Sequence, residues 1–331
     1  MRHCRTSPGY ALAEIRQSGP DRDELHGSST TVPAALILAL AGLGALVAWQ
    51  PLLWTTLAVG FLAGPHNLME ARYLLGRLPR RAGKLRFFMG LSALGVLSIG
   101  CLSLYLAYTD NPYSLRIWAT LLLLWVGSLL LLRSREHPRR NWPWVEPVVF
   151  LLCGWIWLSP VSFALSLVLF HPLMAILVLG RELHFYRRPE RAYYRPFLGA
   201  VAGGLVVLLL TLGLHPSPAP SAFNNLVVIH GPTLPFLAVH TYLEIVHYAI
   251  WILLLPALAA STRRGRLEVY PVLRNAPRRL WAARAFLGAG LLVSALLWWG
   301  FAVDFEFTRD LYFQVAIFHV LVEFPFLIRT I

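Results

Sequence analysis

Apolar runs separated by short basic or polar stretches recur along the chain from residue 32 onward. A membrane-spanning helix needs roughly 20 mostly apolar residues. Ten segments meet that length: 32–49, 51–76, 87–108, 115–132, 143–160, 161–183, 197–214, 234–259, 281–303 and 311–328. The pattern predicts an all-α, polytopic integral membrane helix bundle of about ten transmembrane helices, with residues 32–331 forming one helical domain. The fifth and sixth segments meet at Ser159-Pro160, which reads as a tight turn. Residues 1–31 are polar, carry Arg2, Arg5, Arg16 and Arg22, and precede a run long enough to be retained as a span. They read as a disordered cytoplasmic tail and not as a cleaved signal sequence.

The basic residues fall in alternate loops. Arg77, Arg80, Arg81, Lys84 and Arg86 follow the second segment; Arg133, Arg135, Arg139 and Arg140 follow the fourth; Arg187, Arg188, Arg191 and Arg195 follow the sixth. A further basic run from Arg263 to Arg284 follows the eighth, in a connector over 260–280 with the character of a surface helix. The intervening loops hold almost none. The positive-inside rule then places the basic loops and both termini in the cytoplasm.

Composition agrees. Of 331 residues 57% are hydrophobic and 14% charged, with a mean hydropathy of +0.60, which excludes a typical soluble enzyme, a disordered chain and a disulfide scaffold. The net charge of +13 is accounted for by topology and leaves no role for nucleic acid. Cys4, Cys101 and Cys153 are far apart and form no thiolate metal motif. The bias toward Arg, with Lys84 the sole lysine, points to a GC-rich bacterial genome and hence to a bacterial cytoplasmic membrane.

Chemistry enters with the few ionisable groups inside the spans, where charge is expensive and persists mainly at protein interiors and functional cavities. Three acids lie well inside: Glu70, Glu244 and Glu323. Each has a histidine four residues before it, His66, His240 and His319, so each couple shares one helix face. His247 joins the face of His240 and Glu244, and His171 stands beside Pro172 on a further span. Counted from the span ends at about 1.5 Å per residue, His66, His171, His247 and His319 sit near one depth. Such inward-facing His and Glu sets are what helix bundles use to bind metals, and the spacing Glu244-x-x-His247 is that of carboxylate-bridged di-iron bundles.

Imidazole and carboxylate without thiolate suit Fe, Mn or Zn. The expected ligands are His66, His171, His240, His247, His319, Glu70, Glu244 and Glu323, with the three glutamates as ligands, bridges or proton-transfer groups in catalysis. One or two ions fit this inventory, with iron first. A metal buried in lipid would activate dioxygen or water against a hydrophobic small molecule or lipid, which makes the first expectation a hydroxylase, desaturase or oxygenase served by an electron donor. The same cluster could instead form the pathway of a metal-ion or proton-coupled transporter. Two further readings stay open: axial ligation of haem and self-neutralising structural His-Glu pairs.

The ligand inventory resembles that of integral-membrane non-haem iron hydroxylases and desaturases, without their HxxxH and HxxHH boxes. His66-Asn67-Leu68-Met69-Glu70 is similar to the HNxxD motif of ZIP-type metal transporters, with Glu in place of Asp.

Overall fold

The structure is a computed structural model that describes residues 31–77, 85–107, 109, 111–136, 142–185, 189–214, 234–260 and 279–330. Among these, every regular element is helical. The expected tail up to residue 30, nearly all of the 260–280 connector and much of the basic loops lie outside the described residues. So do Cys4, His3, His26, His137, His215 and His230.

The helices are α1 (Thr31–Trp49), α2 (Pro51–Leu57), α3 (Ala63–Arg77), α4 (Arg86–Ala107), α5 (Ser114–Glu136), α6 (Val145–Leu158), α7 (Pro160–Phe185), α8 (Tyr194–Leu214), α9 (Leu234–Ala249), α10 (Leu255–Ala260), α11 (Arg279–Val303) and α12 (Phe305–Thr330). Each apolar segment read from the sequence is thus helical. Among the described residues seven helices are long and apolar enough to span a membrane, or eight if the bent first pair is one span, against the ten expected. The first two segments form a pair bent by 111°, either a broken span or a re-entrant loop, and α6, at 14 residues, is short. The bend falls at Gln50, where Pro51 opens the next helix. Proline suits a first helical position but bars the preceding residue from helical geometry. The Ser159-Pro160 turn forms as expected, with the Ser159 N–H donating to the Trp155 carbonyl at 2.8 Å.

Two π turns interrupt the ladder, Ala58–Leu62 between α2 and α3 and Ile250–Leu254 between α9 and α10. Each lies just ahead of a proline, Pro65 or Pro256. Proline removes an N–H and crowds the carbonyl one turn back, and a widened turn accommodates both effects. The expected kink at Gly64-Pro65 therefore takes the form of a π turn one step upstream.

Outward faces are apolar, as with Leu38, Phe150 and Leu158, so association rests on close packing and hydrogen bonds more than on exclusion of water. The most extensive contact, α1 on α8, shows this. A Cβ on Gly44 would stand 2.2 Å from the Gly204 carbonyl oxygen, so only glycine lets the two backbones meet. The Tyr242 hydroxyl of α9 donates to the Val201 carbonyl at 2.9 Å and ties this pair to the core. That core, built around Tyr242, Ile250 and Trp251, fixes α9 against α7 and α8.

Candidate metal centre

Four helices bring ionisable side chains to one buried point: His66 and Glu70 from α3, His171 from α7, His247 from α9, and His319 and Glu323 from α12. The imidazole centroids of His66, His171, His247 and His319 lie 4.8 to 5.4 Å apart around this point. His66, Glu70 and His247 are essentially inaccessible to solvent. One ligand atom each from His66, Glu70 and His319 falls within 4.8 Å of the others, and the same holds for Glu70, His247 and Glu323.

The hydrogen bonds show what this point needs. His66 Nδ1 faces the Ala63 carbonyl at 3.2 Å, and His247 Nδ1 faces the Pro172 carbonyl at 3.2 Å. A carbonyl only accepts, so both Nδ1 atoms carry the proton and donate, which leaves both neutral rings with a lone pair on Nε2. Those two Nε2 atoms face one another at 3.1 Å. Glu70 Oε2, a third acceptor, stands 3.2 Å from His66 Nε2. Neither Glu70 oxygen receives a hydrogen bond, and both His319 nitrogens and Glu323 Oε1 also lack partners.

Buried acceptors converging in this way cost several kcal/mol unless a cation lies between them. The spacing suits one. With metal–nitrogen bonds of about 2.0–2.1 Å, adjacent ligands stand roughly 3.0 to 3.4 Å apart. The carbonyl bonds at the two Nδ1 atoms are the outer-shell contacts that fix tautomer and ring orientation in metal-binding histidines. A shared proton could relieve the His66–His247 contact and a second one the neighbouring Glu70 and Glu323 carboxylates, but both His319 nitrogens would stay unmatched.

His171 enters differently. Its Nδ1–H donates to Glu323 Oε2 at 3.0 Å, so Glu323 pairs across helices and not with His319 on its own face. That contact orients the Glu323 carboxylate and leaves Oε1 toward the cluster. His240 and Glu244 pair with each other at 3.3 Å, their side chains 21% and 13% exposed. Neither belongs to the metal-sized groupings among the described residues. His240 lies about 10 Å along α9 from His247, and Glu244 stands between them. Two acids at span ends lie elsewhere: Glu182 accepts from the Tyr73 hydroxyl at 2.7 Å, and Glu146 is exposed.

Several contributors were not legible as site residues. The Tyr248 ring packs 4.5 Å from His66 between centroids, and Tyr312 is buried in the same apolar cluster. Their aromatic rings read as ordinary core in an apolar run, although Tyr248 directly follows His247. The Ala63 and Pro172 carbonyls carry no residue-type signal at all.

A cavity of about 540 Å³ adjoins the cluster between α3, α4 and α12. Asn67, Glu70 and His319 border it together with Leu74, Val96, Val322 and Arg329, and the surface it presents is almost wholly apolar. Its volume is within the range of small-molecule sites.

No family model matches the chain, and neither a curated protein nor a solved structure matches it.

Proposed function

We propose that this membrane protein is a metal-dependent oxidoreductase, a hydroxylase, desaturase or oxygenase, that acts on a lipid-soluble substrate at the His/Glu cluster. The observation that carries the reading is the set of facing acceptors, His66 Nε2, His247 Nε2 and Glu70 Oε2, spaced as adjacent ligands of one ion. Iron is the metal we favour, with manganese or zinc compatible with the same donors. When bound it would supply redox chemistry toward dioxygen. His66, His247, His319, Glu70 and Glu323 would hold it.

The rest follows from the chain. The Ala63 and Pro172 carbonyls keep His66 and His247 in the tautomer with Nε2 free. His171 holds the Glu323 carboxylate by its Nδ1–H. Tyr248 and Trp251, both buried around His66 and His247, exclude water from that side. Glu70 and His319 border the cavity, with their carboxylate oxygens and ring nitrogens buried on the cluster side of its wall. The His240–Glu244 pair stands outside this set and serves α9 as a local partner pair.

The apolar lining of this cavity favours a lipid-soluble substrate. The 3.1 Å between the His66 and His247 nitrogens leaves no space for a porphyrin between that pair. The charge of the loops supports a topology with both termini, and an electron donor, on the cytoplasmic side, and the bias toward Arg supports a bacterial membrane as its location.

The test is dioxygen uptake by iron-loaded protein in detergent with a chemical reductant and added membrane lipid extract. Uptake that depends on lipid and yields a lipid product carrying one more oxygen or two fewer hydrogens supports the reading. No uptake, together with metal-ion flux into proteoliposomes, would replace it with transport.

A further inference from the structure

A cluster bordered by an apolar cavity still needs protons if it reduces dioxygen. Hydroxylation of a C–H bond by dioxygen consumes two electrons and two protons and releases one water; desaturation of a C–C bond consumes the same and releases two. Protons move along hydrogen-bonding groups or water, and the cavity surface offers almost none. Along α12 the cavity is lined from His319 to Arg329. Tyr312 stands on the other side of His319, about 10 Å away along the helix, and a file of polar side chains runs there. His240 Nε2 meets Glu244 Oε1 at 3.3 Å. One turn on along α9, Tyr248 stands close enough to Glu244 and to Tyr312 for their polar groups to interact, and Tyr312 does the same with Asn67 of α3. Asn67 follows His66 and shares the helix face of Glu70. Glu244 Oε2 and Asn67 Oδ1, at the two ends of the tyrosine pair, are buried without a donor. Such acceptors are costly, and rotating hydroxyls or an intervening water answer them. The file opens at His240, whose side chain is 21% exposed. That residue lies about 9 Å from the Leu234 end of α9, which follows a stretch, 215–233, without Lys or Arg.

We infer that this file carries protons to the cluster from the membrane face opposite the basic loops. His240 takes a proton from water and passes it to Glu244. The Tyr248 and Tyr312 hydroxyls then each accept one proton and release another, so neither changes charge, and Asn67 holds the last hydroxyl beside the face of Glu70. The surroundings of the cluster are thereby divided, with the substrate on the apolar side and the protons on the polar side. The orphaned Glu244 Oε2 finds its use here, as the atom that hands the proton on from the His240 pair. The inference rests on the oxidoreductase reading, because structural pairing alone calls for no delivery of protons.

The experiment uses the iron-loaded full chain in proteoliposomes with a chemical reductant, dioxygen and membrane lipid extract, and metal content is measured on every sample. Orientation in the vesicles is read by trypsin cleavage of the basic loops. His240→Cys, in a chain with Cys4, Cys101 and Cys153 changed to Ser, is expected to react with a membrane-impermeant maleimide from the face opposite those loops, a readout that needs no metal. Proton uptake during dioxygen reduction, followed with an impermeant pH dye on each side in turn, is expected from that same face. Glu244→Gln keeps the shape of the side chain and is expected to slow turnover about 10-fold or more, with metal content and thermal stability unchanged. His240→Ala is expected to be slowed as well and to recover on addition of imidazole. Labelling or proton uptake only from the basic face, wild-type turnover in Glu244→Gln, or a slowed His240→Ala that imidazole does not restore would each overturn the inference. Loss of metal in Glu244→Gln would make Glu244 a ligand and overturn it too. Metal-free wild-type protein removes the metal reading and this one with it, whereas metal-bound protein with unimpaired Glu244→Gln removes this one alone.

Discussion

His66 with Glu70 and His240 with Glu244 have the same spacing on a helix, yet they end in opposite situations. The His240–Glu244 pair closes on itself at 3.3 Å, with both side chains partly exposed. His240 takes one Glu244 oxygen, while the other, Oε2, is buried without a hydrogen-bond partner, so the pair is closed on one side only. His66 and Glu70 also approach each other, at 3.2 Å, but the His66 proton is committed to the Ala63 carbonyl, and across from it stands another imidazole with its own proton committed elsewhere. Spacing decides which face a group occupies. What stands opposite that face decides whether the couple is a closed pair or one wall of a site. His319 and Glu323 make the point a third time, since Glu323 turns to His171 and leaves both His319 nitrogens without partners.

The comparison can be broken in several ways. The largest effect is expected from Glu70→Gln, which keeps the shape and removes the negative charge from the buried acceptor set. Metal affinity, measured by chelator competition, should fall by more than the roughly 10- to 100-fold that outer-shell partners contribute. Glu323→Gln tests the pairing across helices and should cost about that same 10- to 100-fold, because His171 would then hold an amide in place of a carboxylate. Gly204→Val drives a side chain into α1 and should lower thermal stability by about 1–3 kcal/mol, with the metal bound per folded molecule unchanged. His240→Asn is the smallest, a change in metal affinity of less than about twofold, as expected for a side chain about 10 Å along the helix from His247. A loss as large as that of Glu70→Gln would place His240 in the site and erase the distinction drawn above.

The helices were legible because lipid imposes a long, unbroken apolar run on each one. Where runs are broken the reading erred: Gln50-Pro51 turns the first two segments into a bent pair, and α6 is only 14 residues long. Periodicity could not distinguish a short apolar helix from a crossing one. The six converging residues were legible as a depth coincidence of rare intramembrane groups. Their partners were not, because helix adjacency is a property of packing, set by close approaches such as Gly44 on Gly204. Equally hidden were the backbone acceptors at Ala63 and Pro172, which settle the tautomers, and the two π turns, Ala58–Leu62 and Ile250–Leu254, that flank His66 and His247 in the chain. The sequence put all eight His and Glu residues on one footing; packing brings six of them to one point and leaves His240 and Glu244 outside the metal-sized groupings among the described residues.

The most direct test is elemental analysis of gently purified protein, wild type beside His247→Ala and His240→Ala. The account predicts one or two equivalents of metal in the wild type and in His240→Ala, without a Soret band, and none in His247→Ala. Metal-free wild-type protein that takes up no iron, manganese or zinc on reconstitution, or equal metal in His247→Ala, would contradict it.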